Sequence, residues 1–299
     1  MDSRLLAMHQ VMLGDRVRLD AYDRALARTV RPGDVVVDVG AGTLVLSVLA
    51  LRHGAGHVYA VEADPEMAAL AERIAADNDF RDRITVVQGD ARVVRLPRRA
   101  DVVVAELMGN LGPEEEMVEL VGALARRNLA PGGRIVPRRL TTHLTAVQLD
   151  GEGWGVWRDD HLGYRLGAVR AAAPPAAQLH FFQREPVLLS AHVPAVVSEV
   201  GASRSGRPRG PRSLRIDRAG ELHAVMGHFS AELADGVVLS NFPSYPGCNW
   251  AVWTWPVRHT PVLPGEDVVA ELVPPSRSAA VRDPLGWRLD CALSRRRSA

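Results

Sequence analysis

Lysine is absent from this chain of 299 residues, so all 36 basic side chains of fixed charge are arginines. The absence excludes chemistry that needs a lysine amine, such as Schiff-base formation, a P-loop lysine or a lysine general base. Cysteine is scarce as well, because Cys248 and Cys291 are too few for a disulfide framework or a cysteine-rich zinc site. Such low cysteine use is typical of a reducing compartment, and we expect a cytoplasmic location.

Long apolar runs and a strong net charge are also missing. No stretch approaches 18 uncharged apolar residues, so we expect no membrane-spanning helix and no membrane partner. The formal net charge of +1 provides no global positive field, and we expect no nucleic-acid partner. The ten histidines are scattered and none shows HExxH spacing, so no metal is expected. Hydrophobic residues make up 47% of the chain, enough for a sizeable core.

Short apolar runs alternate with helical stretches between Val35 and Pro137. The runs are typical of buried parallel strands and occupy residues 35–39, 57–62, 84–88, 101–106 and 133–137. Residues 65–78 and 117–129 carry apolar side chains at helical spacing. The alternation predicts an α/β fold with a Rossmann-like sheet. Beyond it, short alternating runs with frequent proline and glycine predict a mostly antiparallel β domain. We therefore expect domains at residues 1–137 and 138–299.

A glycine-rich turn follows the first predicted strand, in the sequence VVVDVGAGT. Gly40 and Gly42 allow a tight turn and the close approach of a ligand. Glu62 ends the next predicted strand, 20 residues after Gly42, where an acid accepts hydrogen bonds from ribose hydroxyls. The pattern predicts a nucleotide-type cofactor at the carboxyl ends of the strands, near Asp38, Glu62, Asp90 and Glu106. Val45 stands in place of the third fingerprint glycine, which disfavours a nicotinamide cofactor.

His9, Met12, Asp15, Arg18 and Tyr22 form a regularly spaced block near the start of the chain. The spacing resembles the N-terminal segment of the protein arginine methyltransferase family, of which the chain looks like a divergent bacterial-type member. The resemblance implies a seven-stranded Rossmann-like domain, a β-barrel-like second domain, a homodimer and the cofactor S-adenosyl-L-methionine. It also implies that Arg18 pairs with the methionyl carboxylate and that Met12 lies near the sulfonium. The expected cofactor-binding residues are Met12, Arg18, Asp38, Gly40, Gly42, Glu62, Asp90 and Met117.

The segment AELMGNLGPEEEM (105–117) resembles the family's hairpin with two glutamates nine positions apart, here Glu106 and Glu115. A guanidinium is planar, cationic and rich in N–H donors, so two carboxylates can hold it from two edges and aim one nitrogen at a methyl group. The resemblance therefore implies catalytic roles for Glu106 and Glu115. Spacing alone selects Glu115, because Glu114 and Glu116 flank it.

The segment SNFPSYPGCNWAVW (240–253) resembles the region of the family's Thr-His-Trp loop. Trp250 occupies the tryptophan position, while Cys248 and Asn249 replace the Thr-His pair. We expect Trp250 and Asn249 to contact the substrate, with Trp250 offering a face for a cation.

The predicted function is an S-adenosylmethionine-dependent N-methyltransferase acting on a guanidino group. The acceptor is arginine, either free, in a peptide or in a specialised metabolite. Two alternatives stay open: N- or O-methylation of a small molecule without a guanidine, and a cofactor-binding regulator without turnover.

The segment GASRSGRPRGPRS (201–213) is rich in glycine, serine and arginine and has no apolar residue except Ala202. Its composition predicts a solvated loop between strands. Acid binding and self-methylation are the alternative roles of this loop.

Overall fold

The computed structural model describes residues 3–149, 160–161, 163–165, 167–168, 176–182, 184–202, 204, 206–242, 248–275 and 286–294. The chain divides into two compact units. The first comprises Met1–Leu140, Ser198–Gly206 and Ser230–Ser240, and the second comprises Thr141–Val197, Arg207–Phe229 and Asn241–Ala299. The expected domain boundary between residues 137 and 138 stays a prediction.

The helices of the described residues precede most of the strands. They are α1 (Ser3–Gly14), α2 (Arg16–Thr29), α3 (Val45–Arg52), α4 (Pro65–Asp77) and α5 (Met117–Asn128). The strands are β1 (Val35–Val39), β2 (His57–Glu62), β3 (Ile84–Gln88), β4 (Ala100–Ala105), β5 (Leu129–Val136), β6 (Arg139–Gln148), β7 (Asp160–His161), β8 (Tyr164–Arg165), β9 (Gln178–His180), β10 (Val187–Leu188), β11 (Val193–Glu199), β12 (Arg212–Arg215), β13 (Gly220–Ala234), β14 (Val237–Ser240), β15 (Val252–Val262), β16 (Asp267–Val273) and β17 (Arg288–Ser294). Among these described residues, no helix has both the length and the apolar character needed to cross a membrane.

A parallel sheet forms the centre of the first unit, with strand order β3-β2-β1-β4-β5. All five residues of β1 are buried, as expected for a strand covered on both faces. The Rossmann-like fold is therefore confirmed, but the sheet of the described residues has five strands and not the expected seven. Pro137 follows β5, and the next strand, β6, pairs with β10 and β13 in an antiparallel sheet.

Helix α4 shows how the local sequence sets an element of this unit. The side chain of Asp64 caps the helix, because its Oδ1 accepts hydrogen bonds from the backbone N–H groups of Glu66 and Met67, each at 2.9 Å. Pro65 occupies the first turn, where a missing N–H has no cost. The buried side of the helix consists of Met67, Ala68, Ala71 and Ala75.

The second unit is built from antiparallel strands, as the sequence predicts. Residues Gly220–Gly227 of β13 pair with β15, which in turn pairs with β9. A separate three-stranded sheet has the order β12-β16-β17. One core cluster of this unit contains Val147, Leu149, Phe182, Ala224, Met226 and Val252. These antiparallel sheets fit the predicted β-barrel-like domain.

The Asp64 cap leads to a prediction about stability. We expect Asp64→Ala to lower the free energy of unfolding by about 1 kcal/mol, because two N–H groups at the start of α4 lose their acceptor. Urea unfolding measures the change. Glu72→Ala, an exposed change in the middle of the same helix, is the control and should stay within about 0.5 kcal/mol of the unmodified protein. Equal losses in both variants would contradict the capping role.

Candidate functional site

A cavity of the first unit lies at the carboxyl ends of β1 and β4. Its empty volume is about 510 Å³, part of which is continuous with open solvent. Six residues predicted from the sequence line it: Met12, Arg18, Asp38, Gly40, Gly42 and Glu106. The prediction missed the other lining residues, which are His9, Leu13, Leu19, Tyr22, Ala41, Thr43, Val45 and Leu46.

The glycine turn after β1 leaves no room for side chains. Gly40 and Gly42 adopt positive φ angles of 73° and 49°, which favour glycine. A Cβ atom on Gly40 would lie 2.8 Å from Leu107 Cδ2, and one on Gly42 would lie 2.6 Å from His9 Cε1. The positive φ angles therefore favour glycine at both positions, and a side chain there would also have to displace Leu107 or His9.

Glu62 joins this turn to the end of β2. Its Oε2 accepts a hydrogen bond from the N–H of Gly42 at 2.9 Å, and its Oε1 accepts one from the N–H of Asp64 at 3.0 Å. Each carboxylate oxygen has more than one acceptor site. The Glu62 carboxylate can therefore still accept hydrogen bonds from the hydroxyl groups of a ribose.

Asp38 is a buried carboxyl group with one oxygen unused by the described residues. Its Oδ2 accepts a hydrogen bond from Ser47 Oγ at 2.7 Å, while its buried Oδ1 has no partner among them. Burial raises the pKa of Asp38 to about 6, although the hydrogen bond from Ser47 acts in the opposite direction. A buried oxygen without a donor, in the wall of a cavity, fits a ligand that carries N–H or O–H groups.

An ion pair between Arg18 and Glu106 forms part of the cavity wall. Arg18 Nη1 donates to Glu106 Oε2 at 2.6 Å, and the two side chains are 8% and 13% exposed. Asp15 caps α2 by accepting a hydrogen bond from the Arg18 N–H at 3.1 Å, and its Oδ2 lies 3.6 Å from Arg18 Nε. Burial raises the pKa of Glu106, and the charge of Arg18 partly offsets this effect. A guanidinium has five N–H donors, so Arg18 can bind a cofactor carboxylate in addition to Glu106. This expected role of Arg18 stays a prediction.

Three consecutive glutamates have three different environments in the turn before α5. Glu114 Oε1 accepts a hydrogen bond from the N–H of Leu111 at 2.7 Å, inside the hairpin. Glu116 Oε2 pairs with Arg92 Nη2 at 2.5 Å. The Glu115 carboxyl has no such partner within the part of the chain that the structure describes. Glu115 is therefore the glutamate of this run whose carboxyl is not engaged by another described residue, and its catalytic role stays a prediction.

The carboxyl group of Glu115 has a raised pKa. The residue is exposed at the surface, yet the protein atoms around its carboxyl displace enough water to raise this pKa to about 7. The negative charges of Glu106 and Glu114 raise it further, and the positive charge of Arg18 lowers it. A cation placed beside Glu106 and Glu115 would relieve this repulsion.

Six predicted site residues are not part of the cavity lining. Two of them, Glu62 and Glu115, are described above, and the other four are Asp90, Met117, Asn249 and Trp250. Asp90 accepts hydrogen bonds from the backbone N–H of Arg92 at 2.8 Å and from its guanidinium. Met117 is fully buried at the start of α5. In the second unit, Asn249 is exposed, and Trp250 is buried with its ring edge-to-face with Phe229 at 5.2 Å. The binding roles of these four residues stay predictions.

One cluster of the second unit brings together the ligand atoms of Glu221, His223 and His259 within 4.8 Å of one another. His223 Nδ1 accepts a hydrogen bond from the N–H of Leu149 at 3.0 Å, so in the neutral ring Nε2 carries the proton and donates to Glu221 Oε2 at 2.9 Å. A metal-binding histidine normally donates, rather than accepts, through its second nitrogen. The hydrogen bonds of His223 therefore fit a structural hydrogen-bonded cluster better than a metal site.

Comparison with known proteins gives the same picture along most of the chain. A family profile described as ribosomal protein L11 methyltransferase (PrmA) matches residues 19–136. Protein arginine N-methyltransferase 1 of Chlamydomonas reinhardtii is 30% identical over 259 residues, covering 82% of this chain and 73% of that protein. The probable histone-arginine methyltransferase CARM1 of Oryza sativa subsp. indica is 43% identical over 142 residues, 46% of this chain and 27% of that one.

Solved structures show the same fold. The Trypanosoma brucei PRMT1 enzyme-prozyme heterotetrameric complex with AdoHcy matches with a TM-score of 0.74 and 23% identity, covering 89% of this chain and 86% of the other. Arabidopsis thaliana protein arginine methyltransferase 10 matches with a TM-score of 0.77 and 21% identity, covering 96% and 93%.

The raised pKa of Asp38 predicts how stability depends on pH. The folded state holds this proton more tightly than the unfolded state, so the contribution of Asp38 to the free energy of unfolding is lost as pH rises from about 4 to about 6. We expect Asp38→Asn to remove this loss. The unfolding free energy of the variant relative to the unmodified protein should rise by about 3 kcal/mol between pH 4 and pH 7.

Urea unfolding at several pH values measures this difference. Glu72→Gln, which changes an exposed carboxyl, should show a constant difference over the same range. A constant difference for Asp38→Asn as well would contradict the raised pKa.

Proposed function

This chain belongs to the protein arginine N-methyltransferase family, and from that premise we propose that its acceptor is an arginine side chain of a polypeptide, held between Glu106 and Glu115. The chain is an S-adenosylmethionine-dependent methyltransferase, and its chemistry is transfer of a methyl group to a guanidino nitrogen. The relatives are named for arginine in proteins and histones, which supports a polypeptide acceptor. They give no support to a small molecule without a guanidine.

The cavity of the first unit fits S-adenosyl-L-methionine. A Cβ atom on Gly40 or Gly42 would occupy the space beside the glycine turn, and Asp38 Oδ1 has no hydrogen-bond donor among the described residues. In this proposal Glu62 binds the ribose hydroxyls, Asp38 faces the amino-acid part and Arg18 binds the carboxylate. When bound, S-adenosyl-L-methionine supplies an electrophilic methyl group on a positively charged sulfur.

Glu106 and Glu115 hold the acceptor in this proposal. Two carboxylates along two edges of the guanidinium fix its plane and aim one nitrogen. Glu115 is partly exposed, so an arginine side chain can reach it from solvent. With a pKa of about 7, Glu115 is also a stronger base than an ordinary carboxylate and can take the proton that the nitrogen loses on methylation.

Two further features belong to the proposal. We place the protein in the cytoplasm, on the basis of its two free cysteines, Cys248 and Cys291. We propose a homodimer, by analogy with a family whose Trypanosoma brucei member is described as a heterotetrameric complex.

Methyl transfer from labelled S-adenosylmethionine tests the function. The acceptors are a peptide with one arginine, the same peptide with lysine in its place, and free arginine. We expect label on the arginine peptide and none on the lysine peptide. Glu106→Gln and Glu115→Gln should each reduce the rate by about 100-fold or more, because each removes one of the two groups that orient the guanidinium.

Glu72→Gln, far from the cavity on helix α4, is the control variant and should keep full activity. Binding of S-adenosylhomocysteine to Glu115→Gln should be unchanged, which separates loss of orientation from loss of folding. Label on free arginine alone would contradict a polypeptide acceptor. Full activity of both glutamine variants would contradict the carboxylate pair.

The raised pKa of Glu115 predicts the pH profile of the reaction. Glu115 must be a carboxylate to hold a cation, so kcat/KM should rise with pH and level off above an apparent pKa of about 7. Initial rates between pH 5.5 and pH 9 span both sides of this pKa and measure the profile. Glu115→Gln should lose this rise in its residual activity. A profile that is already flat at pH 6 would contradict the assignment.

A further inference from the structure

The turn at residues 113–116 is attached to the protein on both sides of Glu115. On one side, Glu114 Oε1 accepts the hydrogen bond from the Leu111 N–H at 2.7 Å. On the other side, Glu116 Oε2 pairs with Arg92 Nη2 at 2.5 Å. The first attachment lies within the hairpin, whereas the second reaches it from the segment after β3. The position of Glu115 therefore depends on a contact made by the next residue with a distant part of the chain.

Glu116 is the residue at which the turn becomes helix α5, and its backbone is strained. Its φ angle of 55° lies in the left-handed region, which a residue with a side chain occupies at a cost. Among the described residues, no side-chain hydrogen bond caps α5 at this position. The Glu116 N–H donates to the carbonyl of Pro113 at 3.2 Å, which closes the turn around Glu115. A strained conformation persists where neighbouring contacts fix it, and the pair with Arg92 is such a contact.

Arg92 is suited to this task because its own backbone is fixed. Its N–H donates to Asp90 Oδ1 at 2.8 Å, and its carbonyl accepts a hydrogen bond from Nη1 of Arg127 in the last turn of α5. Its guanidinium meets two acids, because Nη1 lies 3.3 Å from Asp90 Oδ2 while Nη2 contacts Glu116. The planar fork of an arginine can bind two carboxylates in a defined geometry. Arg92 therefore connects the segment after β3 to the start of α5.

The exposure of these groups decides what kind of role Arg92 has. The side chains of Asp90, Arg92 and Glu116 are 47%, 46% and 58% exposed, so solvent screens the pairs and they add little to the stability of the fold. Among the described residues, Arg92 is not one whose charge shifts the pKa of Glu115. The remaining effect is geometric. A displacement of about 1 Å in a group that orients a reactant can lower a rate by about 100-fold.

We propose that Arg92 is a positioning residue for Glu115, which fixes the turn at residues 113–116 by pairing with Glu116. This inference rests on the proposed function, because it takes from there the role of Glu115 toward the acceptor guanidinium. Arg92 does not contact the acceptor in this account and acts through Glu116. Loss of Arg92 should therefore slow methyl transfer at saturating substrate, leave the cofactor bound and loosen the turn.

Steady-state kinetics of the full-length protein with S-adenosylmethionine and the one-arginine peptide tests the inference. Arg92→Met keeps a long side chain but removes the charged fork, and we expect kcat to fall by about tenfold or more. The affinity for S-adenosylhomocysteine should be unchanged. The apparent pKa of about 7 in kcat/KM should also remain, because Arg92 acts on the position of Glu115 and not on its charge. Arg95→Met removes an exposed arginine of the same segment and is the matched control, with unchanged kcat.

Glu116→Gln shows whether Arg92 acts through Glu116. If it does, Glu116→Gln should lower kcat to a similar extent, and the double variant should lose no more than either single variant. Losses that add in the double variant would overturn the inference. An Arg92→Met variant that binds S-adenosylhomocysteine more weakly but keeps its kcat would also overturn it, because Arg92 would then serve the cofactor directly.

Hydrogen exchange of residues 109–117 reports on the turn independently of activity. The N–H groups of Leu111 and Glu116 donate within the hairpin, so they should exchange faster in Arg92→Met and at an unchanged rate in Arg95→Met. Unchanged exchange in Arg92→Met would overturn the inference even if kcat falls.

The two proposals fail in different ways. If Arg92→Met keeps full activity while Glu115→Gln loses it, the positioning role is wrong and the proposed function stands. If the unmodified protein transfers no methyl group to the arginine peptide, the proposed function is wrong. Faster exchange in Arg92→Met would still support the link between Arg92 and the turn in that case.

Discussion

The cost of keeping the carboxylates of Glu106 and Glu115 ionised at one site is the constraint on which this account depends. Burial is the main cause of both raised pKa values, and the charge of Glu106 adds to that of Glu115. Arg18 is the cation that the structure places against Glu106, at 2.6 Å. Glu115 has no counter-ion of its own among the described residues, and its pKa is raised to about 7. Ionising both acids in a partly dry site costs free energy. A planar cation between them removes that cost, so the site favours the one acceptor group that is cationic and can meet two carboxylates at once.

The fold supplies this arrangement from elements that are far apart in the sequence. Glu106 follows β4 directly, and Arg18 comes from the first turn of α2, where Asp15 caps the helix. Tyr22 ties the same helix to the sheet, because its hydroxyl donates to the carbonyl of Ala105 at 2.8 Å. In the hairpin that carries Glu115, the hydrogen bond from Leu111 to Glu114 holds the turn. A Cβ atom on Gly109 would lie 2.6 Å from the Glu114 side chain, so this packing requires glycine.

The sequence was informative where a local pattern has a single structural solution. The runs at 35–39, 57–62 and 84–88 match β1, β2 and β3 to the residue, although only β1 is buried along its whole length. The start of β5 was missed by four residues, since Ala130-Pro131-Gly132-Gly133 looks like a turn although it lies within the strand. The pairing of β6 with β10 and β13 could not be predicted, because antiparallel partners distant in the chain leave no local signal.

The same distinction applies to the site. Spacing and resemblance selected Glu106 and Glu115, but only the hydrogen bonds of Glu114 and Glu116 explain why Glu115 is the available member of its run. The close approach of His9 to the glycine turn joins α1 to residues distant in the sequence, which the sequence pattern does not specify. His9 and Tyr22 were part of the quoted N-terminal block, so their spacing carried a signal that was not assigned to the cavity.

The most direct test of the central claim is an experimental structure of the protein bound to S-adenosylhomocysteine and an arginine peptide. The account predicts carboxylate oxygens of both Glu106 and Glu115 at about 2.6–3.2 Å from nitrogens of the bound guanidinium. An acceptor arginine bound with the Glu115 side chain turned into bulk solvent would contradict it.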